Sequence, residues 1–500
     1  MPLSVRVRGR PLRRSGGPIQ PPGPGAADDI PVRSLGWIDE FFRKAKDHIF
    51  AREEDGVVIL PPNQVYKANS TGIAIVTHMC AGRKAASIPG IAQADRARQV
   101  AAFVSDIRAL YLGQPAQGGR APYEDVPYTF QYTTLPILGE IAVTYRCNNA
   151  CVFCYAGCGT QNTGCGTQNT GRGVGCAGTV RAVSGGDARE MSLAEIAKVI
   201  LVFKNEARIP FFSFTGGEPL LREDLEEMIR LARRHGLQVN LITNGTLADR
   251  RRARSLFRAG LRTAQVSVES LDAETHDLLT GRPGSFQKTL EGIRCLQAAG
   301  ISVQTNTTMT AVNSPDAPRM PAFLKGLGVR RFAMNLYLPM CAANAGRVEP
   351  GDPRVEALFV PYTRAGAVIE SVRIAARAEK MTFYWYSPIP HCHYNTIARG
   401  LGNKSCAAMD GLLSVSPTGD VLPCSSFPES MGNILSQEFR EIWFSPRAGY
   451  FKNKHYAPAE CEGCPSFTAC QAACPLYWRY AGTAEIRNRA SIAQENGVWK

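Results

Sequence analysis

Nowhere in its 500 residues does the chain hold the roughly 18 consecutive apolar residues that a membrane-spanning helix needs. Its opening, MPLSVRVRGRPLRRSGG, lacks the apolar middle of a secretory signal peptide. Acidic side chains are missing from the first fourteen residues, which carry Arg6, Arg8, Arg10, Arg13 and Arg14, and the GGPIQPPGPGAA that follows lacks any apolar periodicity. Residues 1–35 therefore read as a disordered basic tail. These absences exclude a membrane-spanning or secreted chain and place the protein in the cytoplasm.

Reducing thiol pools in that compartment make structural disulfides rare, so the sixteen cysteines call for another explanation. Twelve of them fall in two groups of six, Cys147 to Cys176 and Cys406 to Cys474, and such clustering favours metal binding. With 44% hydrophobic residues the chain is long enough for roughly two to four domains and at least one substantial core. The formal charge of +14 points to an acidic partner: nucleic acid, an acidic peptide or the anionic part of a cofactor.

Beyond the tail, LGWIDEFFRKAKDHIF predicts a short amphipathic helix. GVVILPPNQVYKAN reads as two strands around a Pro-Pro-Asn turn, and STGIAIVTHMCAG as a helix capped by Ser70 or Thr71 and ended at Gly82. A further helix covers ADRARQVAAFVSDIRALYLG, completing a small module over 36–115. From residue 138 strands alternate with helices: GEIAVTY, IPFFSFTGGEP, LQVNLITNGT, RTAQVSVES, ISVQTNTTMT and VRRFAMNLYLP. Six apolar strands with intervening helices mean an α/β fold with a parallel sheet, a partial (β/α)6 TIM-like barrel over 136–350, whose ligands bind at the carboxyl ends of the strands.

The chemistry sits at those ends. CNNACVFC places Cys147, Cys151 and Cys154 directly after the first strand, and three thiolates on one loop suit an iron-sulfur cluster or zinc. A centre one protein ligand short of closure keeps a position for substrate or cofactor. The second strand ends in FTGGEP, where Gly216 and Gly217 allow close backbone approach to a ligand and Glu218 offers a carboxylate to an ammonium group. At the later strand ends stand Thr243 and Asn244, Ser267 and Glu269, Asn306 and Thr308, with a structural role equally open for each. Toward the carboxy terminus Cys406, Gly419 and Cys424 form one half of a pattern and Cys461, Cys464, Cys470 and Cys474, spaced CxxCx5CxxxC, the other. Six such cysteines exceed one four-ligand site and imply two centres.

CxxxCxxC after the first strand, followed by GGE after the second, resembles the radical S-adenosylmethionine (SAM) enzymes, and the later spacing resembles the SPASM domain, here over 385–485. The resemblance implies a [4Fe-4S] cluster on Cys147, Cys151 and Cys154, whose fourth iron takes the amino and carboxylate groups of SAM. It implies SAM contacts from Gly216, Gly217, Glu218, Thr243, Asn244, Ser267, Glu269 and Asn306, and reductive cleavage to a 5'-deoxyadenosyl radical that abstracts hydrogen. For the tail it implies one or two auxiliary [4Fe-4S] clusters: Cys406, Cys424 and Cys474 with an upstream cysteine, for which Cys392 in PHCHYN is the candidate, and Cys461, Cys464 and Cys470 with a downstream one. No cysteine follows Cys474, so the second set needs a noncysteine ligand such as Glu485 or solvent, or leaves an iron open; a smaller cluster or zinc remains an alternative there.

The segment VVILPPNQVYKANSTGIAIVTHMCAGRKAAS resembles the PqqD-like domain, a winged-helix-like module that holds a leader peptide, and the edge near Val65 to Ala68 is where a leader would add as a strand. The implied function is oxidative modification or crosslinking of a ribosomally made peptide, powered by a reducing electron donor such as flavodoxin or ferredoxin, with neither membrane nor nucleic acid as partner. Alternatives are a maturase of a protein active-site residue, a cofactor-biosynthesis enzyme acting on a tetrapyrrole or pterin, and a noncatalytic iron-sulfur regulator. Cys341, just past the sixth strand, is the catalytic candidate. Cys80 and Cys295 read as core residues. GCGTQNTGCGTQNTG, residues 157–171, repeats a seven-residue unit and reads as a duplicated surface loop, with a thiol-bearing lid as the alternative.

Overall fold

The computed structural model describes residues 35–60, 64–112, 133–156, 189–339, 356–427 and 429–486. The chain forms two compact units that meet in sequence between Ile137 and Leu138.

The first unit holds helix α1 (Gly36–Ala45), strands β1 (Phe50–Arg52), β2 (Val57–Leu60) and β3 (Gln64–Lys67), and helices α2 (Ser70–Cys80) and α3 (Ala94–Leu112). The expected first helix ends early. Its apolar stripe Ile38, Phe41, Phe42 and Ala45 is buried as the pattern requires, but the chain then opens into β1, where Phe50 pairs with Ile59 of β2. Tertiary pairing overrides helical periodicity here, and the unit has three strands in order β1-β2-β3 instead of two. The cap of α2 is Asn69, one residue ahead of the expected position: its Oδ1 accepts from the Gly72 amide at 2.8 Å. Ile73, Val76, Phe103 and Val104 pack with Ile38, Phe42 and Val58 into one core. Pro61 to Asn63, the expected turn, lie outside the described residues.

The second unit is built on the six expected strands: β4 (Leu138–Thr144), β5 (Phe211–Gly216), β6 (Gln238–Thr243), β7 (Thr263–Ser267), β8 (Ser302–Met309) and β9 (Arg331–Leu336). All neighbours are parallel and in sequence order. Helices α4 (Leu193–Asn205), α5 (Leu225–Arg234), α6 (Arg250–Ala259), α7 (Ala273–Thr280), α8 (Ser285–Ala298) and α9 (Met320–Gly326) connect them. In this alternation a helix covers the sheet: Phe203 of α4 packs edge-on against Phe212 of β5, which meets Phe214 on the same face of the strand.

The sheet does not stop at six strands. β10 (Thr382–Trp385) adds parallel to β9, and β11 (Leu412–Val415) adds parallel to β4 at the other edge, followed by antiparallel β12 (Asp420–Leu422) and β13 (Gly432–Asn433). The cysteine-rich tail is thus continuous with the barrel sheet. Its first strand lies beside the strand that feeds the first cysteine loop. No helix among the described residues is long and apolar enough to cross a membrane.

Candidate active site

β4 ends at Thr144 and delivers Cys147, Cys151 and Cys154 at the carboxyl rim of the sheet. The loop is pinned from two sides. At the end of α7, Thr280 O and Leu279 O accept from the amides of Ala150 and Val152 at 2.9 and 3.0 Å. Gly281 closes that helix at φ +61°, and a Cβ there would lie 2.3 Å from Ala150 O. At the end of β5, the Gly217 and Glu218 amides donate to Thr144 O and Arg146 O at 2.7 and 2.9 Å. A Cβ on Gly216, whose φ is +142°, would meet Thr144 O at 2.1 Å, and one on Gly217 would meet Arg146 O at 2.3 Å. The close approach these glycines permit is therefore to the backbone of the cysteine loop, where the sequence suggested a ligand.

Burial pushes the Cys147 thiol up to about 11, with Glu218 and Cys154 adding to the effect. Burial, then the charges of Cys154, Glu269 and Cys147, hold the Cys151 thiol well above its ordinary range. The three thiols lie within one another's electrostatic reach, and their ionisation calls for positive charge of the kind a metal centre brings. Asn244 braces this group. Its Nδ2 donates to Asn148 Oδ1 at 2.9 Å and lies 3.9 Å from Cys147 Sγ, while its Oδ1 accepts from the Thr246 amide at 2.9 Å. Asn148 returns a hydrogen bond to Thr246 Oγ1 at 2.7 Å. Thr246 and the Leu279–Gly281 corner escape sequence reading, because only the fold brings them to the loop and to Asn148 within it.

The two rim carboxylates differ in kind. Glu218 is fully buried and accepts from Thr243 Oγ1 (2.6 Å), the Asn244 amide (2.7 Å) and the Leu220 amide (3.0 Å). Of about four acceptor sites on a carboxylate, three are taken. The Thr243 hydroxyl, expected at the cofactor, is turned to Glu218 and also accepts from the Gly245 amide at 3.0 Å. Glu269 is as deeply placed but, among the described residues, accepts only from the Thr308 amide, at 2.8 Å, and burial pushes its pKa up to about 8. Its main chain is fixed by His276 Nδ1, which accepts from its amide at 3.2 Å, and by Asn313 Nδ2, which donates to its carbonyl at 2.8 Å.

Ser267 ends β7 opposite Asn306 of β8. Asn306 Nδ2 donates to Asn335 Oδ1 at 2.7 Å, while the Asn306 and Asn149 side-chain oxygens are buried without a partner among the described residues. Three thiols, two unpartnered amide oxygens and a carboxylate with one hydrogen bond fit a group that brings iron to the sulfurs and N–H or O–H donors to the oxygens. A [4Fe-4S] cluster with SAM is such a group. No three His, Cys, Asp or Glu side chains among the described residues converge on the point a single ion would occupy, and a cluster binds each thiolate through a different iron.

The carboxy-terminal cysteines form two neighbourhoods. Burial first, then Cys406, Cys474 and the half-buried Glu140 of β4, hold the Cys424 thiol far above its ordinary range. Glu140 itself accepts from Ser414 Oγ of β11 at 2.7 Å. Cys461 is pushed up to about 12 by burial, then by Cys470, Cys464 and Cys392, and Cys470 to about 11 by burial and by Cys392 and Cys464. Between the two neighbourhoods Gln471, Ala472 and Ala473 take φ values of 54°, 57° and 56°, three successive left-handed residues. Each such residue costs about 1–2 kcal/mol. The turn is held by Trp478 Nε1, which donates to Ala472 O at 2.6 Å, and it sends Cys470 and Cys474 to different groups.

Two of the residues singled out as ligands have neighbours that the sequence did not suggest. Cys392 was expected with Cys406, Cys424 and Cys474, but it stands with Cys461 and Cys470: the neighbouring His391 amide donates to Cys470 Sγ at 3.4 Å. Glu485 was a candidate ligand, yet its carboxylate is engaged by the Tyr477 hydroxyl and by the Thr363 amide at 3.0 Å. Cys295 is buried as expected, and Cys80 is half-buried with its thiol on Ile49 O. Cys341, Cys158, Cys165, Cys176 and the 157–171 repeat lie outside the described residues.

Comparison with known proteins agrees with this arrangement. The radical SAM superfamily model matches residues 141–336, and a SPASM model, described as an iron-sulfur cluster-binding domain, matches residues 406–465. An AdoMet-dependent heme synthase of Methanosarcina barkeri is 32% identical over 243 residues, 47% of this chain and 68% of that protein. A PqqA peptide cyclase of Methylocella silvestris is 28% identical over 288 residues, 56% of this chain and 73% of that protein. Streptococcus suis SuiB, solved bound to its precursor peptide SuiA, shares the fold at a TM-score of 0.59 and 14% identity, over 86% of this chain and 95% of that one. With the cysteine loop, the GGE turn and the tail cysteines in these positions, the chain belongs to the radical SAM superfamily and is a SPASM-containing enzyme that uses a [4Fe-4S] cluster, SAM and auxiliary iron-sulfur clusters.

Proposed function

We propose that the enzyme oxidatively modifies or crosslinks a ribosomally made peptide, captured through its leader by the amino-terminal unit. The observation that carries this reading is a three-stranded sheet whose order β1-β2-β3 makes β3 an edge strand among the described residues, in the same chain as the radical SAM site. In support, Ala68 N donates to Gly56 O at 2.9 Å, and the register continues Val58 opposite Tyr66 and Leu60 opposite Gln64. Alternation in an antiparallel pair then turns the amides of Val65 and Lys67 outward, where an added strand would meet them.

In this reading Cys147, Cys151 and Cys154 hold the SAM cluster, and Asn244, Asn148 and Thr246 keep Cys147 in place. Glu269, Ser267 and Asn306 line the SAM side, Gly216 and Gly217 set the loop spacing, and Glu218 with Thr243 fixes the ends of β5 and β6. The bound cluster and SAM supply one-electron cleavage of the sulfonium and a hydrogen-abstracting radical. The tail cysteines would hold auxiliary centres able to take up the electron left by oxidation of the substrate, and a donor such as flavodoxin or ferredoxin would reduce the enzyme.

A Val65→Pro variant removes one outward amide and leaves the β2 pairing intact. We expect binding of a cognate leader peptide to weaken about tenfold, the effect of about one hydrogen bond, with SAM cleavage in the absence of peptide unchanged. Unaltered peptide affinity, measured by fluorescence anisotropy, would sink the recognition role. The relatives named as heme synthases favour a tetrapyrrole substrate as the second reading; the Methanosarcina barkeri match covers 47% of this chain. Three cubane clusters also predict about twelve irons per reconstituted chain. That value should persist when Cys158, Cys165 and Cys176 are changed to Ser; a fall of about four irons would place a cluster on the repeat.

A further inference from the structure

The tail of this chain has seven cysteines among the described residues, and they divide three and four. Cys406 and Cys474 lie in reach of Cys424, which is also in reach of Glu140; Cys392, Cys461, Cys464 and Cys470 share the other neighbourhood. Spacing alone leaves the second group a ligand short, since no cysteine follows Cys474. The missing thiol arrives from the opposite direction, on the segment that follows β10.

That segment is built to hold its position. Pro390 O accepts from the amides of both His393 and Tyr394, at 2.9 and 3.0 Å, closing a tight turn around His391 and Cys392. The His391 amide within the turn donates to Cys470 Sγ at 3.4 Å. His393 Nε2 is bonded to Glu485 O at 2.6 Å and the Tyr394 hydroxyl donates to Glu370 Oε2 at 2.6 Å, so the turn is anchored on its far side too. An amide donated to a ligand sulfur, with a thiol on the next residue, is how a backbone turn both supports and completes a cluster site. None of these cysteines is in a disulfide.

We propose that Cys392 is the fourth ligand of the cluster held by Cys461, Cys464 and Cys470. That centre is closed by four thiolates, and the centre at Cys406, Cys424 and Cys474, beside Glu140, is the one with a noncysteine position. The inference rests on the SPASM cofactors and is independent of whether the substrate is a peptide.

The test uses two full-length backgrounds, each carrying Cys147→Ala, Cys151→Ala and Cys154→Ala. The first adds Cys406→Ala, Cys424→Ala and Cys474→Ala; the second adds Cys461→Ala, Cys464→Ala and Cys470→Ala. Each is reconstituted with and without Cys392→Ala and oxidised mildly with ferricyanide, which strips an iron that lacks a thiolate and leaves an EPR-active [3Fe-4S] centre. In the first background the signal should rise from near zero to about one spin per chain on loss of Cys392. In the second it should be present already and unmoved. A signal indifferent to Cys392 in the first background, or dependent on it in the second, would overturn the assignment, and either background answers alone if the other fails to fold.

Discussion

A Gly217→Ala variant is expected to lose SAM cleavage by about 100-fold or more. The added Cβ would sit 2.3 Å from Arg146 O and 2.8 Å from Tyr145 O, both main-chain atoms of the loop that carries the first cysteine. Neither can rotate away, so the loop itself must move by about 1 Å, a displacement that costs catalysis about two orders of magnitude. Gly216→Ala should behave the same way, with its Cβ 2.1 Å from Thr144 O at a φ of +142°. Gly326→Ala is the control, because nothing lies within 4 Å of a Cβ there. The measurement is 5'-deoxyadenosine released per chain under dithionite. Wild-type yield from Gly217→Ala would show that the spacing of these two loops is irrelevant.

Glu269→Gln carries the second large effect. This carboxylate is buried, accepts one hydrogen bond and lies in the field of Cys151, so it has capacity for a ligand that Glu218, with three donors, has already spent on the protein. Hydrogen bonds to charged groups contribute about 1.5–3 kcal/mol, so SAM affinity should fall about 10- to 100-fold. Iron content should stay at the wild-type value, because no cysteine is touched. Equilibrium dialysis with labelled SAM, set beside iron analysis, separates the two: lost iron with unchanged affinity for SAM would assign Glu269 to the cluster loop instead.

The parts of this site that contiguous motifs encode were legible from the sequence. Cys147, Cys151 and Cys154 follow a strand, Gly216 to Glu218 follow the next, and a parallel sheet brings successive strand ends to one rim. What was not legible depends on contacts between distant segments. Ser414 of β11 lies 274 residues from Glu140 of β4, and no local pattern announces that the tail continues the barrel sheet through that pair of strands. Asn148 and Thr246 look like ordinary loop residues until Asn244 joins them. The grouping of Cys392 follows the same rule: the SPASM resemblance made it the upstream partner of Cys406 although it lies further from Cys406 than that pattern leads one to expect, while the turn at Pro390 and the left-handed run Gln471–Ala473 bring it toward Cys470. Gly216 and Gly217 stand out in the sequence, but that a Cβ there would meet Thr144 O and Arg146 O shows only in the fold.

The most direct test of the account is product analysis of the anaerobically reconstituted enzyme reduced with dithionite in the presence of SAM. It predicts 5'-deoxyadenosine and methionine in equal amounts from the wild type, and neither from Cys154→Ala. A wild-type protein that carries about twelve irons and still releases no 5'-deoxyadenosine would contradict it.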